Sequence, residues 1–224
     1  MSAIAVRPGL YYCDIDGAYV FLDLDAQRYF LLGSAAAGRF QRFLDGVMAD
    51  DDLDWLIGNR LLCQPESAPP IDRNHMVAEA AVSTMDEALP RADAILTLQI
   101  ILAHRAAKRW LRRSPLKALL QDLRAGRDSA ATAWGQTGGQ KEPSLGLSRI
   151  TAAFRASERI SNSIDQCLPR GIALYTLLQR QGFTPNLVIG VTIPFTAHCW
   201  VQVGDRVVSD SLDRVRPFTP ILAL

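Results

Sequence analysis

Three prolines fall within seven residues at Gln64-Pro-Glu-Ser-Ala-Pro-Pro70, and this stretch limits the fold more than any other. Proline fixes φ and lacks an N–H, so neither a helix nor a central strand runs through it. The 224-residue chain is therefore expected to form two units. Charge changes at the same place. Residues 1–70 hold five Lys and Arg against ten Asp and Glu, and residues 71–224 hold 19 against 13. An acidic unit precedes a basic one, which suggests different partners. No basic run is dense enough to argue for nucleic acid. We expect a first domain at 1–66, a linker at 67–84 and a second domain at 85–224.

In the first unit, strands are expected at 11–14 and 18–23, with an Asp16-Gly17 turn signal between them, and a third at 28–32. Ser34 is a candidate N-cap for a helix at 35–44. Asp50-Asp51-Asp52 reads as the acidic first turn of another helix carrying Leu53, Trp55, Leu56 and Ile57. A three-stranded meander followed by helices is winged-helix-like, and its open edge can accept an added peptide strand.

The second unit begins helical. An apolar segment around Ile95–Leu102 runs into the basic end Arg109–Arg113, as the helix dipole prefers. A short helix to about Arg124, a Gly-rich loop at 126–146 and a helix at 147–161 follow. Within that loop, Gly135 to Lys141 superficially suggests a phosphate loop. Gln140 precedes Lys141, Glu142 follows, and no strand comes before, so the Walker pattern is absent.

From Cys167 the spacing of Leu168, Ile172, Tyr175 and Leu178 predicts an amphipathic helix that stops at Gly182. Ser163 is a candidate cap. The period then changes to two, giving strands at 186–191, 197–203 and 206–210 around a Gly204-Asp205 turn. A two-residue hairpin there pairs Val203 with Arg206 and carries His198 to Ser211, beside Asp210. A cysteine opening a helix, with a histidine and an aspartate on neighbouring strands, is the arrangement of nucleophilic thiol catalysis. Asp165 competes as the acidic member. Cys199 adjoins His198 but points to the opposite face, and no second ligand pair exists, so no metal site is expected. His75 and His104 have no acidic or thiol neighbour at useful spacing. Cys13, Cys63, Cys167 and Cys199 show neither CxxC spacing nor a secreted disulfide framework. Arg7-Pro8-Gly9 interrupts any signal-peptide pattern. The longest apolar stretch falls well short of the roughly 20 residues that span a bilayer. A reduced, cytoplasmic protein is expected.

Cys167-Leu-Pro-Arg-Gly-Ile-Ala-Leu174, Ala197-His-Cys-Trp-Val-Gln202 and Asp210 together resemble the lasso peptide biosynthesis B proteins, leader peptidases of the transglutaminase-like cysteine protease superfamily. Phe21 to Gly33 is similar to the PqqD-like precursor-recognition domain fused to some of them. The resemblance implies an α+β fold, with a PqqD-type domain and then a transglutaminase-like or papain-like domain of helical block plus antiparallel sheet. It implies Cys167 as nucleophile, His198 as base and acid, Asp210 as orienting carboxylate and Trp200 as a shield. It further implies the Cys167 N–H, with Gln166 as a possible helper, as oxyanion donors. A leader peptide would add beside Arg28, Tyr29, Phe30, Leu31 and Leu32 and press against Leu53, Leu56 and Ile57. The implied partners are a ribosomally made precursor and an asparagine-synthetase-like lasso cyclase. Any ATP would act through the cyclase, with no cofactor in this chain. Gly171 and Cys199 stand where related sequences often have other small residues. An acyltransferase passing the acyl group to an amine, or a non-catalytic peptide-binding module, are the alternatives.

Overall fold

The computed structural model describes residues 4–64, 77–134, 143–160 and 166–224. The chain divides into two compact units, Met1–His75 and Met76–Leu224. Residues 65–76, the Gly-rich 135–142 and 161–165 lie outside the described residues, and with them His75, Ser163 and Asp165. Among the described residues no helix is long and apolar enough to cross a membrane.

In the first unit, β2 (Leu10–Ile15), β3 (Ala18–Asp23) and β4 (Arg28–Leu31) form an antiparallel meander with β4 at its edge. The β2–β3 connection pairs Ile15 with Ala18 across Asp16 and Gly17. Both central residues have positive φ, 52° and 83°, as the type I′ turn demands. Two helices, α1 (Ser34–Leu44) and α2 (Asp50–Gly58), follow, and a two-residue ribbon pairs β1 (Ala5–Val6) with β5 (Leu62–Cys63). Ser34 is the first helical residue rather than the cap, which falls on Gly33. Phe40 of α1 lies edge-on to Tyr12, Tyr19 and Phe21, with centroids 5.0–5.1 Å apart, and with Leu56 it forms the core. Of the three aspartates opening α2, Asp50 and Asp51 are exposed while Asp52 is buried. Its carboxylate takes two hydrogen bonds from Arg42 at 2.7 Å and one from Arg39 at 2.9 Å, which ties α1 to α2. That pairing, Arg42 foremost, holds its acid down at about 2.

In the second unit, α3 (Ala94–Arg113) packs against α5 (Pro143–Glu158) and α6 (Cys167–Arg180), with α4 (Leu116–Trp134) alongside. Asp93 caps α3 through hydrogen bonds from the N–H groups of Ile95 and Leu96. The α3 helix begins at Ala94, where the apolar segment starts, and α4 runs through Gly126 to Trp134 instead of stopping near Arg124. The α6 helix ends in a Schellman motif: Phe183 N–H donates to Leu178 and Gly182 N–H to Gln179, both at 3.0 Å. Gly182 adopts φ 86° there, open to glycine at no steric cost.

Behind α6 lies a five-stranded sheet in the order β10 (Thr219–Ala223), β7 (Pro185–Thr192), β8 (Thr196–Val203), β9 (Arg206–Val207), β6 (Val82–Ser83). The hairpin register matches the sequence reading: Val203 pairs with Arg206 and Gln202 with Val207. Gly204, at φ 62°, occupies the glycine position of a type II′ turn. Three expectations are corrected. The sheet is mixed rather than antiparallel, because β6 pairs with β9 in parallel. Val82–Ser83, inside the span expected as linker, is an edge strand of this sheet. The third strand stops at Val207, so Asp210 follows it in a bend instead of ending it.

Candidate active site

The site is built where a strand ends early. Residues 199, 201 and 203 of β8 turn their backbone groups to the same side, since hydrogen-bonding direction alternates along a strand. At Val203 the partner is β9. At Val201 the carbonyl still accepts from Val208 at 2.9 Å, but the N–H donates to the Ser209 hydroxyl, also at 2.9 Å. At Cys199 no strand is left, and the Cys199 N–H donates to the sulfur of Cys167. The nucleophile candidate thus occupies a slot on the sheet edge.

Cys167 is half-buried at the first position of α6. Burial by itself opposes ionisation of its thiol. Hydrogen bonds from His198, then Cys199 N–H, the charge of His198 and Leu168 N–H more than offset this, and the thiol lies below its ordinary value. Pro169 has no N–H, and Arg170 N–H closes the first helical bond to Gln166 at 3.2 Å. Leu168 N–H is spent on the sulfur, so among the described residues Cys167 N–H is the first-turn donor left for a developing oxyanion. Gln166 does not cap the helix with its side chain, which instead stands beside His104 of α3, its oxygen without a hydrogen-bond partner among the described residues.

His198 Nε2 lies 3.1 Å from Asp210 Oδ1, and both side chains are buried. Nδ1 is left for the thiol. Burial works against the imidazolium, yet Asp210 and Cys167 together raise it to about 9. Asp210 is held below the usual carboxylate range: burial opposes this, but the bond to His198 outweighs it, helped by the Ser209 hydroxyl at 2.6 Å. The three charges stabilise one another as thiolate, imidazolium and carboxylate. Arg214 Nε stands 3.4 Å from Asp210 Oδ1 on a side chain 64% exposed, where solvent screens it.

His198, Trp200 and Gln202 share one face of β8. The imidazole stacks on the indole at 6.4 Å and 20° and meets Phe218 at 5.3 Å. Trp200 Nε1 donates to Gln202 at 2.9 Å, and the Gln202 amide nitrogen donates to the carbonyls of Ala78 and Gly204. Trp200 is thus a wall of the histidine's pocket. Cys199 is on the other face, fully buried, its thiol pushed well above the ordinary value. A Cβ on Gly171 of α6 would lie 3.1 Å from that sulfur and 2.9 Å from Leu187 Cδ1, so α6 approaches the sheet closely at this glycine. Among the described residues no three His, Cys, Asp or Glu side chains converge as metal ligands. Sequence reasoning missed Ser209, Ser83 and Phe218; hydroxyls and single aromatics in loops carry no spacing signal.

The first unit has a separate groove of about 670 Å³, lined by Arg28, Phe30, Leu32, Trp55 and Leu61 among others. Arg28, Phe30 and Leu32 alternate along the open edge strand, so they face the groove while Tyr29 and Leu31 face away. Leu56 is corrected to a core residue, fully buried. Leu53 and Ile57 pack against that core and do not line the groove. From α2, the groove wall is Trp55 instead.

A family model described as transglutaminase-like superfamily matches residues 96–223, more than half of the chain and the part that contains Cys167, His198 and Asp210. Comparison with curated proteins and with solved structures returned no match.

Proposed function

The chain belongs to the transglutaminase-like superfamily, and from that premise we propose that it is a leader peptidase of lasso peptide maturation. The observation that carries this reading is the Cys167–His198–Asp210 triad, its thiol lowered and its imidazole raised by the same contacts. In support stands the acidic first unit, with an open edge strand over a groove lined by both charged and apolar side chains, suited to an extended peptide.

In this reading the precursor's leader adds beside β4 as a PqqD-like domain would receive it. The Cys167 thiolate attacks the carbonyl carbon of the leader–core bond, and the oxyanion forms against Cys167 N–H. Protonated His198 gives its Nδ1 proton to the departing amine of the core, leaving the leader as a thioester. Water then attacks the thioester, its proton passes to His198, and the leader leaves with a free carboxylate. Asp210 holds the ring throughout. The freed amine is the group that an asparagine-synthetase-like, ATP-using cyclase partner would consume. The setting is the reducing cytoplasm, where Cys167 stays reduced.

The test is incubation with the precursor encoded nearby, read by mass spectrometry. Free leader from the wild type and none from Cys167→Ala is expected. Equal processing by both overturns the assignment. A leader–amine adduct formed in added amine, with no free leader, would make the chain an acyltransferase.

A further inference from the structure

The residues matched by the family model begin at 96, yet the clamp on Asp210 reaches it from upstream. Ser83 of β6 donates its hydroxyl to the Asp210 carbonyl at 2.6 Å, in a buried contact 127 residues apart in sequence. Asp86, three residues on, accepts the Leu212 N–H at 3.0 Å. The bend that carries Asp210 is thus gripped on both sides. The strap is itself held: Ala81 N–H donates to the Asp205 carbonyl at 2.9 Å, and Glu87 pairs with Arg206. From within the sheet, Ser209 accepts the Val201 N–H and donates to Asp210 Oδ2. The two carboxylate oxygens are thus divided, Oδ2 toward Ser209 and Oδ1 toward His198, with the exposed Arg214 also 3.4 Å from Oδ1. We infer that Ser83 and Ser209 are positioning residues for the triad, and that the strap 77–87 is a working part of the site rather than a spacer.

After the bond from Val208 N–H to Val201 the bend makes no further ladder bond with β8, so nothing in the sheet ladder fixes where the carboxylate points. The two hydroxyls substitute for that ladder. Ser209 also satisfies a β8 N–H that would otherwise be buried and unpaired, which is costly. The charged or titratable groups facing Asp210 are His198 from β8, Arg214 from α7 (Leu212–Val215) and the Cys167 and Cys199 thiols. Through His198 the orientation of Asp210 reaches the Cys167 thiolate.

This inference rests on the triad reading but is tested without a substrate. The rate of Cys167 alkylation by iodoacetamide is followed against pH by peptide mass mapping in the full chain. Loss of a hydrogen bond to a charged group is worth about tenfold and loss of a neutral one about fivefold. Ser209→Ala should slow alkylation at pH 7 about tenfold, Ser83→Ala about fivefold, each moving the acid limb to higher pH. Ser83→Thr, which keeps the hydroxyl and suits a strand, should restore the wild-type profile. Asp210→Asn sets the limit of the effect. If Asp210→Asn shifts the profile and neither serine variant does, the positioning role is wrong while the triad stands. If Ser83→Thr behaves as Ser83→Ala, the hydroxyl is not the operative group and the role falls. A precursor left uncut by the wild type, with the serine shifts intact, removes the leader peptidase reading but not the clamp.

Discussion

Gly190→Ala is the sharpest single test of how the site is packed. Gly190 lies mid-strand in β7, paired with His198 on one side and Pro220 on the other. A mid-strand glycine is worse than alanine by about 0.5–1 kcal/mol, so its presence needs a steric reason. A Cβ there would sit 2.6 and 2.7 Å from two indole carbons of Trp200 and 3.0 Å from Phe218 Cβ. An ordinary carbon contact is about 3.5 Å, so the ring must retreat by about 0.8 Å. The indole has little room: it is buried among Val188, Val207, Val215 and Ala223. Retreat also strains the 2.9 Å bond to Gln202, whose amide is anchored at two carbonyls and cannot follow. Overpacking costs about 1–3 kcal/mol and the hydrogen bond about 1, against the gain in backbone entropy. A net loss of about 1.5–3 kcal/mol follows, or roughly 4–10 °C in Tm for a unit of this size. Gly171→Ala is the control. Its added methyl meets the far end of Leu187 and the Cys199 sulfur, and about 1 kcal/mol of helix propensity offsets the crowding. Thermal unfolding of both variants by near-UV circular dichroism decides. A Gly190→Ala midpoint within about 1 °C of wild type, or a larger loss in Gly171→Ala, refutes the packing argument.

Proteolytic rate against pH should be bell-shaped. The acid limb is protonation of the Cys167 thiolate, below the ordinary thiol value; the alkaline limb is loss of the His198 proton at about 9. A rate still rising above pH 10 would exclude the ion pair as the active form. In the first unit, Asp52 has its acid held at about 2 against an ordinary 3.8, chiefly by Arg42. Its contribution is full above about pH 4 and is lost as pH falls through about 2. The stability gap between wild type and Asp52→Asn should therefore close over that window, followed by pepsin cleavage within residues 34–58; a constant gap contradicts the assignment. Phe30→Ala and Leu32→Ala should each weaken binding of a leader peptide more than tenfold in a fluorescence-anisotropy titration, while Tyr29→Ala and Leu31→Ala change it little. The reverse ranking would place the peptide on the other face of β4.

Local signals were legible in the chain and distant ones were not. The α6 helix showed in its apolar spacing and its glycine stop, and the β8–β9 register followed from a two-residue turn. Both depend on neighbours in sequence. β6 escaped because two residues, Val82 and Ser83, carry no period and pair with a strand more than 120 positions away. β10 escaped because Thr219-Pro220-Ile221-Leu222-Ala223 is a short run broken by a proline, and the ladder indeed shifts there between Pro220 and Leu222. For α4, Gly126 read as the start of a loop, but one glycine costs a helix only about 1 kcal/mol. Along β4 all five residues from Arg28 to Leu32 were expected at the peptide, and the groove takes only Arg28, Phe30 and Leu32. On α2, Leu56 looked like its neighbours, and only the buried side of the helix separates it from Trp55.

The early end of β9 has a genetic consequence. The hydrogen bond from position 199 to the sulfur of Cys167 comes from the backbone, so no side-chain exchange at 199 removes the donor. Proline is the sole exception, since it lacks the N–H. Part of the thiolate's stabilisation is thus invisible to alanine scanning. Residue 199 can vary among small side chains that fit beneath Gly171 while the sulfur keeps its contact. An amide-to-ester replacement at that one bond would expose what ordinary mutagenesis passes over.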